Sequence, residues 1–592
     1  MNTSSTASLP ARSAASSSRP FRPDVLWLAL PAALFLLVFL AYPAVKVLAL
    51  SLVQNNGSAF STAAFERFFG PSVYNRVLGT TFSIAWQTTA WCLLCGYPLA
   101  YWLSRLPARR QQLLALLVLL AFWTSSLVKN FSWLVLLGRT GFMATLLQAI
   151  GIPGGDHLLF NRAVVIFAMV HTLLPLGVVT MLPVMNQVDQ RCMSAAATLG
   201  ADRAQMFWRV FLPLSMRGVA SAGLLVFIGA LGFFITPTLL GSPKEMMLGQ
   251  LVIVQINELQ NWQMGCALAV VLVLTALVCC VVYDLVFGLS SLAGGGAGQA
   301  GSSRQKWLRT LGIALANGLG TACSRLLRLY EVQPLRLPLL NLYSILVIVV
   351  LLFPIVAIVP MAFTDSTFLS FPPKGFSLRW FAAYFDSPLW MAATVRSFGI
   401  GLATALITSV FATLAALAVL RSSSRLRQPA FLLFLTPMMV PSIVIAIGMF
   451  YLCAHIGLVA TNAGITLGHI VIAMPIMFVI MLSTFKGHDW GLDSAAATLG
   501  ANRLQVLRRV TLPLVKAGLA ASFVIGFLTS FEELTVALFI GGGIKSTMPK
   551  QMWTDIILQT TPLLAAASTV VLIIVTLLFL AAHTLRPRGS RT

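Results

Sequence analysis

Charge is what this sequence has least of. Only 9% of its 592 residues are Asp, Glu, Lys or Arg, against the roughly 25% of an ordinary globular domain, and 58% are hydrophobic. That balance excludes a soluble protein. Acidic residues are the scarcest, 16 against 39 basic, and the resulting net charge of +23 would by itself suggest nucleic acid. The basic residues, however, gather on one side of the apolar runs described below, which points to anionic lipid and not to nucleic acid as their partner. No phosphate-cradling GxxxxGK[ST] occurs anywhere, so the chain is not expected to hydrolyse ATP alone. The six histidines show no metal-ligand spacing, and the eight cysteines are scattered. Cys92 and Cys95 form a CxxC inside an apolar run without a second pair, and are expected to be packed side chains. No metal or cofactor is expected. Nothing clusters a nucleophile with a base, which argues against an integral membrane enzyme.

What the chain has in abundance is apolar runs long enough to cross roughly 30 Å of hydrocarbon. Six lie at about Val25 to Val53, Leu78 to Ser104, Leu113 to Leu137, Ala163 to Asn186, Ser215 to Leu240 and Gln263 to Gly288. Six more follow at about Pro338 to Phe363, Ser397 to Leu420, Pro429 to His455, Gly464 to Phe485, Lys516 to Gly541 and Thr561 to Leu585. The first is too long for the h-region of a cleaved signal peptide and should remain as a span. The expected fold is all-α, a polytopic membrane protein of about twelve transmembrane helices in two six-helix halves, residues 25–289 and 338–585. Residues 1–24, rich in Ser, Ala and Arg, read as a disordered basic tail. Residues 290–337 read as a linker, with the flexible GGGAGQAGSS leading into an amphipathic surface helix from Lys306 to Tyr330. Residues 586–592 form a second basic tail.

One polar stretch occurs twice. Ser194 to Leu214 reads SAAATLGADRAQMFWRVFLPL and Ser494 to Leu514 reads SAAATLGANRLQVLRRVTLPL, fifteen matches in twenty-one positions at an offset of 300 without a gap. In both halves this island falls between the fourth and fifth runs, so the duplication covers the whole bundle. An even number of crossings gives the halves one orientation, related by a pseudo-two-fold axis along the membrane normal. The positive-inside bias puts both islands and both termini in the cytoplasm. Locally, SAAATLG should form a short helix with Ser194 or Ser494 as N-cap, broken by Gly200 or Gly500. Asp202 or Asn502 should cap a second helix, stopped by Pro213 or Pro513. The product is a small-residue knob, and two copies of it suggest docking of two copies of a partner.

The island resembles the EAA motif, E-A-A-x-x-x-G followed at a distance by L-P, of the permease subunits of binding-protein-dependent ABC importers. The resemblance implies a type I importer permease fold in a bacterial inner membrane, with two copies of an ATPase subunit below and a periplasmic solute-binding protein above. It also implies that Ser194, Ala195, Ala196, Gly200 and Arg203, with Ser494, Ala495, Ala496, Gly500 and Arg503, couple to that ATPase. Serine stands in the Glu position in both halves. GYPLAYWLSR at Gly96 to Arg105, FWTSSLVKNFSWLVLLGRTG at Phe122 to Gly141 and ITPTLLGSPKEMMLGQLV at Ile235 to Val252 are similar to one permease subunit of polyamine importers. LTPMMVPSIVIAIG at Leu435 to Gly448, SFEELTVALFIGG at Ser530 to Gly542 and MPKQMW at Met548 to Trp553 are similar to its partner subunit. The chain thus looks like two permease subunits fused, importing its solute by alternating access. Similar fused permeases serve 2-aminoethylphosphonate and ferric iron, and related branches carry thiamine or oxyanions. A twelve-span secondary transporter is the rival from another class; it would need no island.

Ionisable groups at membrane depth are costly and line a path or pair with one another. Glu532 and Glu533 are the carboxylates placed deep in a span, and Lys129 is the deep cation. Neighbours on a helix point about 100° apart, so one glutamate is expected to face a pathway and the other to need a partner. A Lys129 to Glu pairing and direct solute contact explain these groups equally well. The acidic excess favours a cationic or amine-bearing solute, for which Trp133, Phe131, Trp123 and Tyr97 offer aromatic walls.

Overall fold

The computed structural model describes residues 25–53, 59–70, 72–139, 141–151, 158–287, 318, 321, 338–373, 375–542 and 545–584. The expected tails 1–24 and 586–592 lie outside the described residues, as does the 290–337 linker with its amphipathic helix but for Gly318 and Thr321.

The long apolar runs become helices because a chain in hydrocarbon must satisfy its backbone within each segment. The first half contains α1 (Val25–Ser51), α2 (Val73–Ser104), α3 (Ala108–Trp123), α4 (Ser126–Leu136), α5 (Arg162–Asn186), α6 (Gln190–Thr198), α7 (Arg203–Leu231), α8 (Ile235–Leu240) and α9 (Trp262–Phe287). The second contains α10 (Pro338–Ala362), α11 (Pro388–Arg421), α12 (Arg427–Met439), α13 (Ser442–His455), α14 (Asn462–Lys486), α15 (Trp490–Thr498), α16 (Arg503–Phe531), α17 (Thr535–Ile540) and α18 (Pro562–Thr584). Among the described residues, nine helices are long and apolar enough to cross a membrane, or eleven when each of two bent pairs counts as one crossing. The more polar α2, 32 residues long, holds the place in its half that α11 holds in the other. It packs with α5 and α7 as α11 packs with α14 and α16.

The first helix of each half keeps a partner in its own half, α1 on α9 and α10 on α18, and also reaches across to the other half. α1 packs on α11, α12 and α13 of the second half, close enough that a Cβ on Gly448 would lie 2.8 Å from Pro43 Cβ. α10 packs on α2, α3 and α4 of the first half, where Trp102 Nε1 donates to Asn341 Oδ1 at 2.6 Å and Tyr343 Oη to the Cys95 carbonyl at 2.8 Å. The two halves are therefore bridged by their first helices.

Three expectations change. The third crossing of each half is not one straight helix: α3 meets α4 at 87° and α12 meets α13 at 99°. Pro441 accounts for the second break, since it precedes α13 and cannot donate to α12. The first break has no proline; there Lys129 Nζ donates to the Ala121 carbonyl at 3.1 Å and caps the end of α3. The fifth crossings begin earlier than the apolar runs, at Arg203 and Arg503, and break at residues 232–234 and 532–534. Pro213 and Pro513 do not stop a helix. Each sits at the first turn of a regular helical segment, just after a π-type turn, Met206–Phe211 or Leu507–Thr511. The wider turn absorbs the missing proline N–H, so the helix runs on.

Candidate functional site

The repeated island folds twice into the same knob. α6 and α15 begin not at the serines but five residues earlier, where Asp189 Oδ1 accepts from the Arg191 amide and Asp489 Oδ1 from the Gly491 amide. An ionised carboxylate at a helix start outcompetes a hydroxyl further on, and Ser194 and Ser494 instead donate to the Gln190 and Trp490 carbonyls at 3.2 Å. Both helices end alike. The amide of Gly200 donates to Ala197 and that of Ala201 to Ala196, each at 3.0 Å; the amides of Gly500 and Ala501 repeat this at 3.1 Å. This Schellman closure needs a left-handed residue, and Gly200 and Gly500 supply φ of +83° and +90°. Asp202 and Asn502 then cap the next helix in reciprocal boxes with Gln205 and Gln505, as the sequence predicts. Ser194, Ala195, Gly200 and Arg203 are exposed on the first knob, as are Ser494, Ala495, Gly500 and Arg503 on the second, with Ala196 and Ala496 half-buried. Leu199 and Leu499, at the knob tips, are each 88% exposed, so an apolar contact point stands ready in both copies.

Hydrogen bonds and stacking fix both knobs to one face of the bundle. Arg105, just past the end of α2, donates to Gln190 Oε1 at 3.0 Å, and Arg421, ending α11, stacks on Trp490 at 4.7 Å. The Trp102–Asn341 bond puts the start of α10 at the first knob's face. α10 crosses to the far side, where Tyr384 bonds Thr394 near the start of α11 at 2.6 Å, and α11 returns to the second knob.

Away from the knobs, the two halves enclose a cavity of about 480 Å³. Its walls are symmetric in origin. Gly229, Gly232, Phe233 and Ile235 of the first half correspond to Thr529, Glu532, Glu533 and Thr535 of the second, at the 300-residue offset, and Phe122, Trp123, Pro437, Pro441 and Ser442 from the bent pairs also line it. Two carboxylates and no Lys, Arg or His line it. The glutamates find different partners at a break in the helix, not along it. Glu533 Oε1 accepts from the Thr535 amide at 2.9 Å and Oε2 from the Val536 amide at 2.8 Å, capping α17. Its Oε2 also lies 3.3 Å from His469 Nε2, whose Nδ1 meets Ser530 Oγ at 2.7 Å. Glu533 is thus committed to the protein, and its partner is a histidine. Glu532 Oε1 has no hydrogen-bond partner. It interacts electrostatically with Lys129, which is 2% exposed and stands behind the cavity wall, outside the lining.

Of the aromatic residues singled out above, Trp123 lines the cavity. Trp133 does not; it packs in the core against Phe167 and His171, at ring separations of 4.8 and 5.5 Å. Phe131 is fully buried, and Tyr97 pairs with Ser215 at 3.0 Å. Sequence reasoning missed Pro437, Pro441, Ser442 and Phe122 as lining residues. The signal for them was Pro441 itself, since a proline inside a span marks a break that points backbone at a path.

Residues 93–291 and 408–590 match the family described as binding-protein-dependent transport system inner membrane component. The spermidine/putrescine transport system permease protein PotB of Haemophilus influenzae is 34% identical over 256 residues, which is 42% of this chain and 89% of that protein. The PotC protein of the same organism and transport system is 26% identical over 223 residues, 38% of this chain and 86% of its own length. Among solved structures, a bacterial alginate ABC transporter in complex with an alginate pentasaccharide-bound periplasmic protein aligns at 17% identity and a TM-score of 0.39, over 44% of this chain and 91% of the other.

Proposed function

This chain belongs to the family of binding-protein-dependent transport system inner membrane components and is a permease of an ABC importer, two permease units fused in one polypeptide. From that premise we propose that it forms the whole translocation pathway for a small cationic or amine-bearing solute of the polyamine or 2-aminoethylphosphonate type. Two copies of an ATPase subunit seat on the two knobs in the cytoplasm, and a periplasmic solute-binding protein docks on the opposite face. ATP-driven closure of the ATPase pair draws the knobs together and rocks one half against the other, opening the cavity to the periplasm. Hydrolysis returns it to the cytoplasmic side.

The observation that carries this reading is the duplicated knob, reproduced down to its Schellman closures and capping boxes and presented twice on one face. The solute class rests on the cavity lining. A cation would meet Glu532, Glu533 and Trp123 in the lining, whereas an oxyanion would meet carboxylates and no base.

Gly200→Pro combined with Gly500→Pro distorts both closures and leaves the spans intact. In proteoliposomes with the ATPase subunit and binding protein, this double variant should purify as folded protein and lose ATP-dependent uptake. Unchanged uptake, or uptake driven by an ion gradient with no ATPase present, would contradict the reading.

A further inference from the structure

The two knobs share the SAAATLGA run and differ at their roots. Asp493, one residue before Ser494, is 9% exposed and turned inward. One oxygen of its carboxylate accepts from Thr511 Oγ1, at the π-type turn where α16 leaves the knob, and the other meets His488 Nε2. His488 in turn lies edge-on to Trp490, at a ring separation of 4.6 Å, and the Trp490 face carries the Arg421 guanidinium. A carboxylate held by a hydroxyl and an imidazole has one good arrangement, because charge-assisted hydrogen bonds are short and directional.

The first knob has none of this at the matching positions, where Val188, Met193 and Phe211 replace His488, Asp493 and Thr511. Phe211 instead packs on Tyr101 at 4.9 Å and on Phe207 at 6.3 Å, with Arg105 over its face at 4.9 Å. Thioether and ring contacts lack directionality and can slide. Beyond the second root lies α16, 29 residues of continuous helix ending at the Glu532 break, a rod of about 43 Å at 1.5 Å per residue. Whatever turns the second knob turns that rod.

We infer that Asp493 is a positioning residue that locks the second knob to α16, so that the stroke reaching Glu532 passes through the second knob more rigidly than any stroke through the first. This rests on the reading of the knobs as ATPase docking sites. Asp493 does not touch the partner; the exposed Ser494 face does. Its loss should spare docking and waste hydrolysis.

The test uses the full chain in proteoliposomes with the ATPase subunit and binding protein, scoring ATPase retention and ATP hydrolysed per solute imported. Asp493→Asn should retain the ATPase and raise the ATP-to-solute ratio by about fivefold or more, the lower end of ordinary coupling factors. Thr511→Val should act in the same direction and Thr511→Ser should restore the wild-type ratio, which guards against a misfolded Asp493 variant. Met193→Ala, the matching site of the first knob, should raise the ratio less. An unchanged ratio in Asp493→Asn, an equal rise in Met193→Ala, or loss of ATPase retention would each overturn the inference. Failure of the wild-type chain to retain any ATPase would instead sink the docking reading on which it stands.

Discussion

Glu533 spends both oxygens on the protein, on the α17 amides and on His469, while Glu532, a residue of the cavity lining, has a buried oxygen without a hydrogen-bond partner. Substituting each by glutamine should therefore produce different failures. Glu533→Gln removes a charged acceptor from two buried amides and should cost about 1–3 kcal/mol, read as a lower unfolding temperature in detergent, with uptake falling only as folded protein is lost. Glu532→Gln should leave folded yield close to wild type and cut uptake of a cationic solute. Equal and negligible effects would remove the pathway role. Lys129, bonded to the Ala121 carbonyl at the α3 end, interacts electrostatically with Glu532. A double-mutant cycle of Lys129→Met with Glu532→Gln should show non-additivity of about 1 kcal/mol in stability, since each single change leaves a charge uncompensated; strict additivity would mean that the two charges do not interact.

At the scale of elements, the knobs depend on two left-handed glycines. Gly500→Ala forces a side chain to φ +90°, at a cost of about 1–2 kcal/mol. The Ala501 amide, bonded to Ala496, should then exchange with deuterium faster than in the wild type; unchanged protection would mean that the closure tolerates a Cβ. The glycine closures and the Asp202 and Asn502 caps were legible in the sequence because they rest on local chemistry; the first caps were not, since Asp189 and Asp489 take the place expected of Ser194 and Ser494. The rest of what was not legible depends on distant partners. The α3–α4 break carries no proline and is finished by the Lys129 ammonium reaching back eight residues. Trp133 and Trp123 read alike in a span apolar on all sides, and only packing against Phe167 and His171 separates the core residue from the cavity residue. His469 comes beside Glu533 only through the packing of α14 on α16.

For the whole molecule, the duplication at a 300-residue offset pointed to two halves of one orientation, yet it gave no hint that α1 and α10 would each pack against both halves. Periodicity reports which face of a helix is apolar and is silent about which neighbour covers it. This bridging makes a specific prediction: cutting the chain within the Gly-rich residues 294–303 should leave the two fragments bound to each other through purification in detergent. Fragments that separate without added denaturant would contradict the bridging by α1 and α10. The same duplication implies that one polypeptide offers both docking knobs, and the mass of the purified complex with its ATPase subunit tests this most directly. One copy of this chain with two ATPase copies is the expected composition; two copies of this chain for every two ATPase copies would show that only one knob per chain is used, and would contradict the two-knob permease.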